Sequence, residues 1–281
     1  MTAVEKLPQK SVSPALRDQR ILELIEAGKI RRPDNEVLAD IYRRRGDLVA
    51  AAAEYRRLLD ILPGSHRLDL LHAIFNRSPL PPRLPEAEFA PAPFVQFDDF
   101  FSPELNRQSL AYAISKRDAF RPTELQAADQ YEKQRSTLVT YDVGAPGEAM
   151  RAAVREQLVW LCARLNMPVF EIEFIQLKIA AYSTGDFFKA HQDNGLSHPG
   201  RRISFVYYFH QEPKPYQGGD LLLYESRFSP RAHVRSVFTR IVPENNAIVF
   251  FPSEYFHEVL PVQTLMQNFS SSRFTLAGHI G

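Results

Sequence analysis

The stretch Lys189-Ala190-His191-Gln192-Asp193-Asn194 decides how the rest of the chain is read. Its His-x-Asp pattern offers an imidazole and a carboxylate two residues apart. On an extended strand alternate side chains share a face, so His191 and Asp193 would approach one ion together while Gln192 turns away. A second imidazole stands at His257, within Tyr255-Phe256-His257-Glu258-Val259, and a guanidinium at Arg273. Two imidazoles and one carboxylate make a facial metal site, which holds one side of an ion and leaves several positions open. A third ligand from a distant strand would close that side.

The segments around this stretch suit it. After Pro168 the chain reads as strands separated by turns: Phe170 to Tyr182, Phe187 to Asp193, Ile203 to His210, Asp220 to Glu225, Ala247 to Pro252 and Phe274 to Ile280. Before them, Phe94 to Phe101 reads as a strand, and Ser102-Pro103-Glu104 as an N-cap with proline at the first position of a helix reaching Phe120. Arg121 to Arg135 is polar and reads as a loop, and Ser136 to Val143 as a β-branched strand. Met150, Val154, Leu158, Leu161 and Leu165 mark one face of a helix over Gly147 to Asn166, in which Trp160 and Cys162 are packing residues. Helices followed by six or more strands predict an α+β fold, a β-sandwich or jelly roll backed by helices on one side.

The N-terminal part is helical. Residues 1–14 read as a disordered lead-in. Apolar residues from Leu16 to Lys29 fall at helical spacing, with Gly28 near the end as a stop signal. Leu38, Ala39, Tyr42, Gly46, Ala51, Tyr55 and Pro63 fall in the register of a tetratricopeptide repeat, with Asn35 standing where that repeat has a large apolar residue. A further helix over His66 to Asn76 would cover the open end of the pair. Residues 15–77 are therefore expected to form a small all-α, helical-repeat-like domain packed on the catalytic one. Docking of a protein or carrier partner through its helices is the sharper alternative. Pro79, Pro81, Pro82, Pro85, Pro91 and Pro93 make 78–93 a linker, and 94–281 the catalytic domain.

Composition narrows the classes. The 34 basic and 33 acidic residues leave a formal charge of +1, which gives no reason to expect nucleic acid or an anionic membrane as partner. Cys162 is the only cysteine, so no intrachain disulfide forms, in keeping with a reducing compartment. No window approaches the ~18 apolar residues of a membrane span, and the first residues hold no apolar signal core. A cytoplasmic protein is expected, with its oligomeric state open.

Further motifs follow in order along the chain. They are Tyr182-Ser183-Thr184-Gly185-Asp186 before the His-x-Asp, then Val206-Tyr207-Tyr208-Phe209, Gly218-Gly219-Asp220-Leu221, His257-Glu258-Val259-Leu260-Pro261-Val262 and Ser272-Arg273-Phe274-Thr275-Leu276. From Phe94 to Gly281 this ordered set resembles the iron(II)/2-oxoglutarate dioxygenases of the prolyl-hydroxylase branch. The resemblance implies that His191, Asp193 and His257 hold Fe(II) and that Arg273 receives the distal carboxylate of 2-oxoglutarate. Thr275 would add a hydroxyl on the same face, Tyr208 would hydrogen-bond the cosubstrate, and Tyr182 would stand near its iron-bound end. It further implies O2 as oxidant, ascorbate as a candidate stimulant, succinate and CO2 as coproducts, and hydroxylation of an unactivated C–H. The substrate would be a prolyl or other amino-acid side chain, in a protein, a peptide, a free amino acid or a carrier-bound intermediate.

Two features depart from the pattern. Sixteen positions separate His257 from Arg273, and Gln263 to Ser272 reads as an extra loop that could flank the pocket. The last strand has Ala277-Gly278-His279 where relatives have Gly-Trp, which leaves the role of His279 open. Of the remaining histidines, His198 is the candidate substrate contact. Arg201-Arg202 and Arg231 to Arg240 read as solvated loop charge. Two competing readings are a helical-repeat adaptor whose jelly roll is catalytically silent, and a cupin-type metal protein with no oxoacid cosubstrate.

Overall fold

The computed structural model describes residues 13–123, 134–195 and 198–281; most of the expected lead-in, and of the expected loop from Arg121 to Arg135, lies outside these. Four helices come first: α1 (Pro14–Glu26), α2 (Val37–Arg45), α3 (Leu48–Ile61) and α4 (His66–Phe75). Ser13, Asp47 and Ser65 cap α1, α3 and α4, each accepting the backbone N–H three residues on. Ala39 and Ala51 are fully buried where α2 meets α3, small enough for the backbones to approach. Gly46 ends α2 at a φ of +80°, and a Cβ there would press on Val242 at 3.1 Å. Glycine thus permits both the turn and the close seat of the helix pair on the sheet.

The remainder comprises β1 (Val95–Phe97), α5 (Pro103–Ser115), β2 (Arg121–Pro122), β3 (Arg135–Ser136), β4 (Leu138–Thr140) and α6 (Gly144–Arg164). Then come β5 (Ile175–Tyr182), β6 (Phe187–His191), β7 (Ile203–Phe209), β8 (Tyr216–Gly218) and β9 (Leu221–Phe228). The last five strands are β10 (Arg231–Ile241), β11 (Ile248–Pro252), β12 (His257–Val259), β13 (Val262–Thr264) and β14 (Arg273–Ile280). They form a seven-stranded sheet in the order β1-β11-β7-β14-β5-β4-β2, a five-stranded sheet β10-β9-β12-β6-β3, and a β13-β8 ribbon. All the pairings are antiparallel, and the two sheets face one another as a jelly roll.

Alternation along the strands divides the core in two. Ala180, Tyr208, Val249 and Phe251 of the larger sheet meet Leu221, Leu223 and Val259 of the smaller one. The other faces of β5, β7 and β14 carry Ile179, Phe205, Tyr207, Phe209 and Leu276, which pack with Met150, Val154 and Leu161 of α6. Helices therefore cover the outside of the larger sheet, and α2 lies against β10 of the smaller one. Arg43 of α2 and Arg67 of α4 both donate to Glu225 of β9, at 2.9 and 2.8 Å.

Several expected elements are corrected. The strand expected over Phe94 to Phe101 stops at Phe97, because Asp99 takes a φ of +51° and Phe100 N–H donates to Asn246 O. Both Phe100 and Phe101 then turn onto Tyr207. The helix expected to reach Phe120 ends at Ser115, and α6 begins at Gly144 rather than Gly147. Arg231 to Arg240 is no loop: it lies within the edge strand β10, bulged between His233 and Phe238, with Arg240 paired to Asp220. Its exposed edge carries arginine, serine and histidine, which masks the alternation. Within Gln263 to Ser272, β13 opens the segment and Phe269 packs on Phe274 and Phe120, so this insertion feeds the core.

Candidate active site

His191 is the last residue of β6 and His257 the first of β12, and the two are direct cross-strand partners with ring centroids 4.2 Å apart. Asp193 joins them by a different route from the one its spacing suggests. The strand ends at His191, and Asp193 sits in the following bend, where its N–H donates to Ser253 O at 3.0 Å. Alternation along a strand therefore does not bring this carboxylate to the imidazoles; a bond to the end of β11 does. Asp193 Oδ1 lies 3.6 Å from His191 Nε2 and Oδ2 3.2 Å from His257 Nε2. One ligand atom from each residue falls within 4.8 Å of the others, a spacing suited to a single ion.

The protonation pattern fits a cation. His191 Nδ1 is 2.8 Å from Lys189 O and His257 Nδ1 is 3.0 Å from Tyr255 O. A carbonyl oxygen only accepts, so each Nδ1 carries the proton and each Nε2 turns a lone pair inward. Burial pushes His191 down to about 4, which keeps its ring neutral. Burial alone would raise Asp193, but His257, His279 and His191 outweigh it and hold the carboxyl well below the usual range. Neutral imidazoles and an ionised carboxylate are the forms that bind a metal.

A shell missed from the sequence supports Asp193. Ser204 Oγ donates to Asp193 Oδ2 at 2.7 Å. Since a hydroxyl has one proton, Ser253 Oγ at 2.8 Å and His279 Nδ1 at 3.2 Å must donate to Ser204. His279 Nδ1 is also 3.6 Å from Asp193 Oδ2. One signal for it was present: Arg273, Thr275, Ala277 and His279 fall at period two on β14.

Arg273 begins β14, opposite Tyr182 of β5, and Thr275 lies between Ala180 and Tyr208 of the neighbouring strands. The Arg273 guanidinium is buried between the rings of Tyr182 and Tyr208, 5.0 and 5.1 Å from their centroids. Tyr182 thus stands at the guanidinium itself. Arg273 Nε and Nη2 and the hydroxyls of Tyr208 and Tyr216 are buried and, among the described residues, have no hydrogen-bond partner. Burying such groups unmatched is costly, and their donors suit an anion with acceptor oxygens, such as a carboxylate. Gly219 permits this placement, since a Cβ there would lie 2.4 Å from Arg273 Cδ. Tyr207 points the other way, its hydroxyl donating to Asn106 or Asn246 outside the barrel.

Comparison with known proteins agrees with the donor set. Residues 177–281 match the family model of the 2OG-Fe(II) oxygenase superfamily. An uncharacterised PKHD-type hydroxylase of Synechocystis is 33% identical over 198 residues, which cover 69% of this chain and 65% of that protein. The match therefore spans just under two thirds of the relative's own length. Among solved structures, a Pseudomonas putida prolyl-4-hydroxylase is 21% identical at a TM-score of 0.49, covering 66% of this chain and 91% of that one. A Trichoplax adhaerens prolyl hydroxylase, in complex with a hypoxia-inducible-factor peptide, is 17% identical at a TM-score of 0.48, covering 66% and 82%. Residues 177–281, which contain His191, Asp193, His257 and Arg273, are a domain of the 2OG-Fe(II) oxygenase superfamily.

Proposed function

We propose that the protein is an Fe(II)- and 2-oxoglutarate-dependent hydroxylase acting on an unactivated C–H of a prolyl or other amino-acid residue. One juxtaposition carries the reading: a His-Asp-His cluster and a buried, unmatched guanidinium share the interior of one barrel. His191, Asp193 and His257 would hold the metal on one side. Arg273, with Tyr208 and Thr275 beside it, would clamp the distal carboxylate of 2-oxoglutarate, and Tyr182 would wall the slot. Bound Fe(II) would activate O2, the oxidant; 2-oxoglutarate would supply two electrons and take up one oxygen atom as it breaks down to succinate and CO2, leaving the other atom for insertion into the C–H. Ascorbate, a reductant that restores the divalent metal, is expected to stimulate turnover.

The chain's own contribution is placement. The Lys189 and Tyr255 carbonyls fix the tautomers of the two imidazoles, and Ser204 with Ser253 aims the Asp193 carboxylate. The four N-terminal helices enter as a buttress for the smaller sheet through Arg43, Arg67 and Glu225.

Succinate formation from 2-oxoglutarate in the presence of Fe(II) tests the proposal. Asp193→Ala and Arg273→Ala should each abolish it, and full turnover in either variant would sink the reading. Iron-dependent 2-oxoglutarate binding that Arg273→Ala leaves unchanged would move the cosubstrate elsewhere.

A further inference from the structure

A cleft of about 390 Å³ opens beside His279, the residue that touches Asp193. Its walls carry Lys178 of β5, Arg151 of α6, and Arg201 and His198 from the segment after Asp193, with Tyr141 at the rim. Among the described residues no aspartate or glutamate lines it. Arg201 is held by neutral acceptors, Gln176 Oε1 at 2.8 Å and Asp193 O at 3.4 Å. Arg151 pairs with the exposed Glu148.

Lys178 is the telling residue. It shares the inner face of β5 with Ala180 and Tyr182, and among the described residues it makes no hydrogen bond or salt bridge. Burial, and then the nearby Arg135 cation, push its ammonium down to about 8. Arg135 is itself only 5% exposed, its guanidinium lies over Phe188 at 4.9 Å, and its Nε has no hydrogen-bond partner among the described residues. Phe188 in turn stacks on His191 with centroids 3.5 Å apart, which sets this second cation beside the metal ligands. Among the described residues Asp193 is the carboxylate that offsets Lys178, and a bound metal would claim it.

We propose that Lys178 and Arg201 receive a carboxylate of the substrate, so that the enzyme hydroxylates a molecule presenting a free carboxylate near the reacting C–H. The proposal rests on the hydroxylase reading above and narrows its substrate class. A 390 Å³ cleft is at the small end of ligand sites, which suits an amino acid or the acidic portion of a peptide. An ammonium and a guanidinium give a carboxylate charge-assisted hydrogen bonds that an amide does not receive.

The full chain, loaded with Fe(II) and 2-oxoglutarate without O2, is titrated calorimetrically with each free L-amino acid and with its carboxamide. Gly-Pro-Glu-Gly and Gly-Pro-Gln-Gly, both C-terminally amidated, form the peptide arm. An acid that binds about tenfold or more tighter than its amide is expected, and the arm in which it occurs identifies the source of the carboxylate. Lys178→Met and Arg201→Met should remove that preference, Lys178→Arg should keep it, and 2-oxoglutarate affinity should be unchanged in all three. Equal binding of acid and amide throughout, no binding by any acid, or a preference that survives both methionine variants overturns the proposal. Loss of 2-oxoglutarate binding in Lys178→Met also overturns it, because the lysine would then serve the cosubstrate. Failure of the unaltered chain to bind 2-oxoglutarate overturns the hydroxylase reading and this one with it, whereas intact binding without an acid preference overturns this one alone.

Discussion

Arg43 and Arg273 are each 1% exposed, yet their surroundings have little in common. Arg43 reaches from α2 to the smaller sheet and donates to Glu225 at 2.9 Å, Asp40 at 3.2 Å and Tyr55 Oη at 3.3 Å, with Thr239 beside it. Arg273 lies between two tyrosine rings, and its Nε and Nη2 find no acceptor among the described residues. A buried guanidinium loses its hydration in either place, but only at Arg43 does the chain supply the replacement. The first arginine holds the architecture together. The second is complete only with a ligand.

Removing each charge should separate the two roles. In Arg273→Met, affinity for 2-oxoglutarate should fall by about 10³-fold, roughly 4 kcal/mol, the scale of losing one partner of a buried charge pair. The melting temperature without ligand should hold or rise, because an unmatched buried charge is gone. A lower melting temperature with intact 2-oxoglutarate binding would reverse the assignment. Arg43→Met should do the opposite: unfolding by urea should show a loss of about 3 kcal/mol, since Glu225 keeps only Arg67, while 2-oxoglutarate affinity in the folded fraction stays the same.

Smaller changes sharpen the contrast. Gly219→Ala places a Cβ against Arg273 Cδ and Nε and strains a φ of +69°, so the guanidinium must shift. The KM for 2-oxoglutarate should rise about tenfold, the scale of weakening one charge-assisted hydrogen bond. The mildest effect should appear on acidification. Burial tends to raise the Glu225 carboxyl, but Arg43 and Arg67 together hold it below its ordinary value. Its stabilising contribution is therefore complete above the ordinary carboxylate range and lost as pH falls through the lower, folded-state value. Stability measured from neutral pH down to about pH 3 should decline less steeply in Arg43→Met than in the unaltered chain.

The residues proposed to bear chemistry were the most legible part of the sequence. His191, Asp193, His257 and Arg273 stand in short motifs whose order survives any uncertainty about the strands between them. The helix cap at Ser102 was readable for a similar reason, because a cap is a local bond. Asp193 was found for a partly mistaken reason, since its position depends on the Ser253 carbonyl, 60 residues away, and no local pattern encodes that bond. Lys178 and His279 were accessible by counting in twos from Tyr182 and Arg273, but only once β5 and β14 were known to be neighbours. β10 escaped because an edge strand can carry polar side chains on much of its length, and β12 and β13, at three residues each, are too short to show a period.

The anchoring of Asp193 has a consequence for how the molecule holds together. His191 and His257 belong to the smaller sheet, whereas Asp193 is fastened to Ser253 and Ser204 at one end of strands β11 and β7 of the larger one. An ion shared by the three would act as a clasp across the open end of the sandwich. By mass action its occupancy would then add to the free energy of unfolding, so chelation and loosening of the two sheets would be a single thermodynamic event.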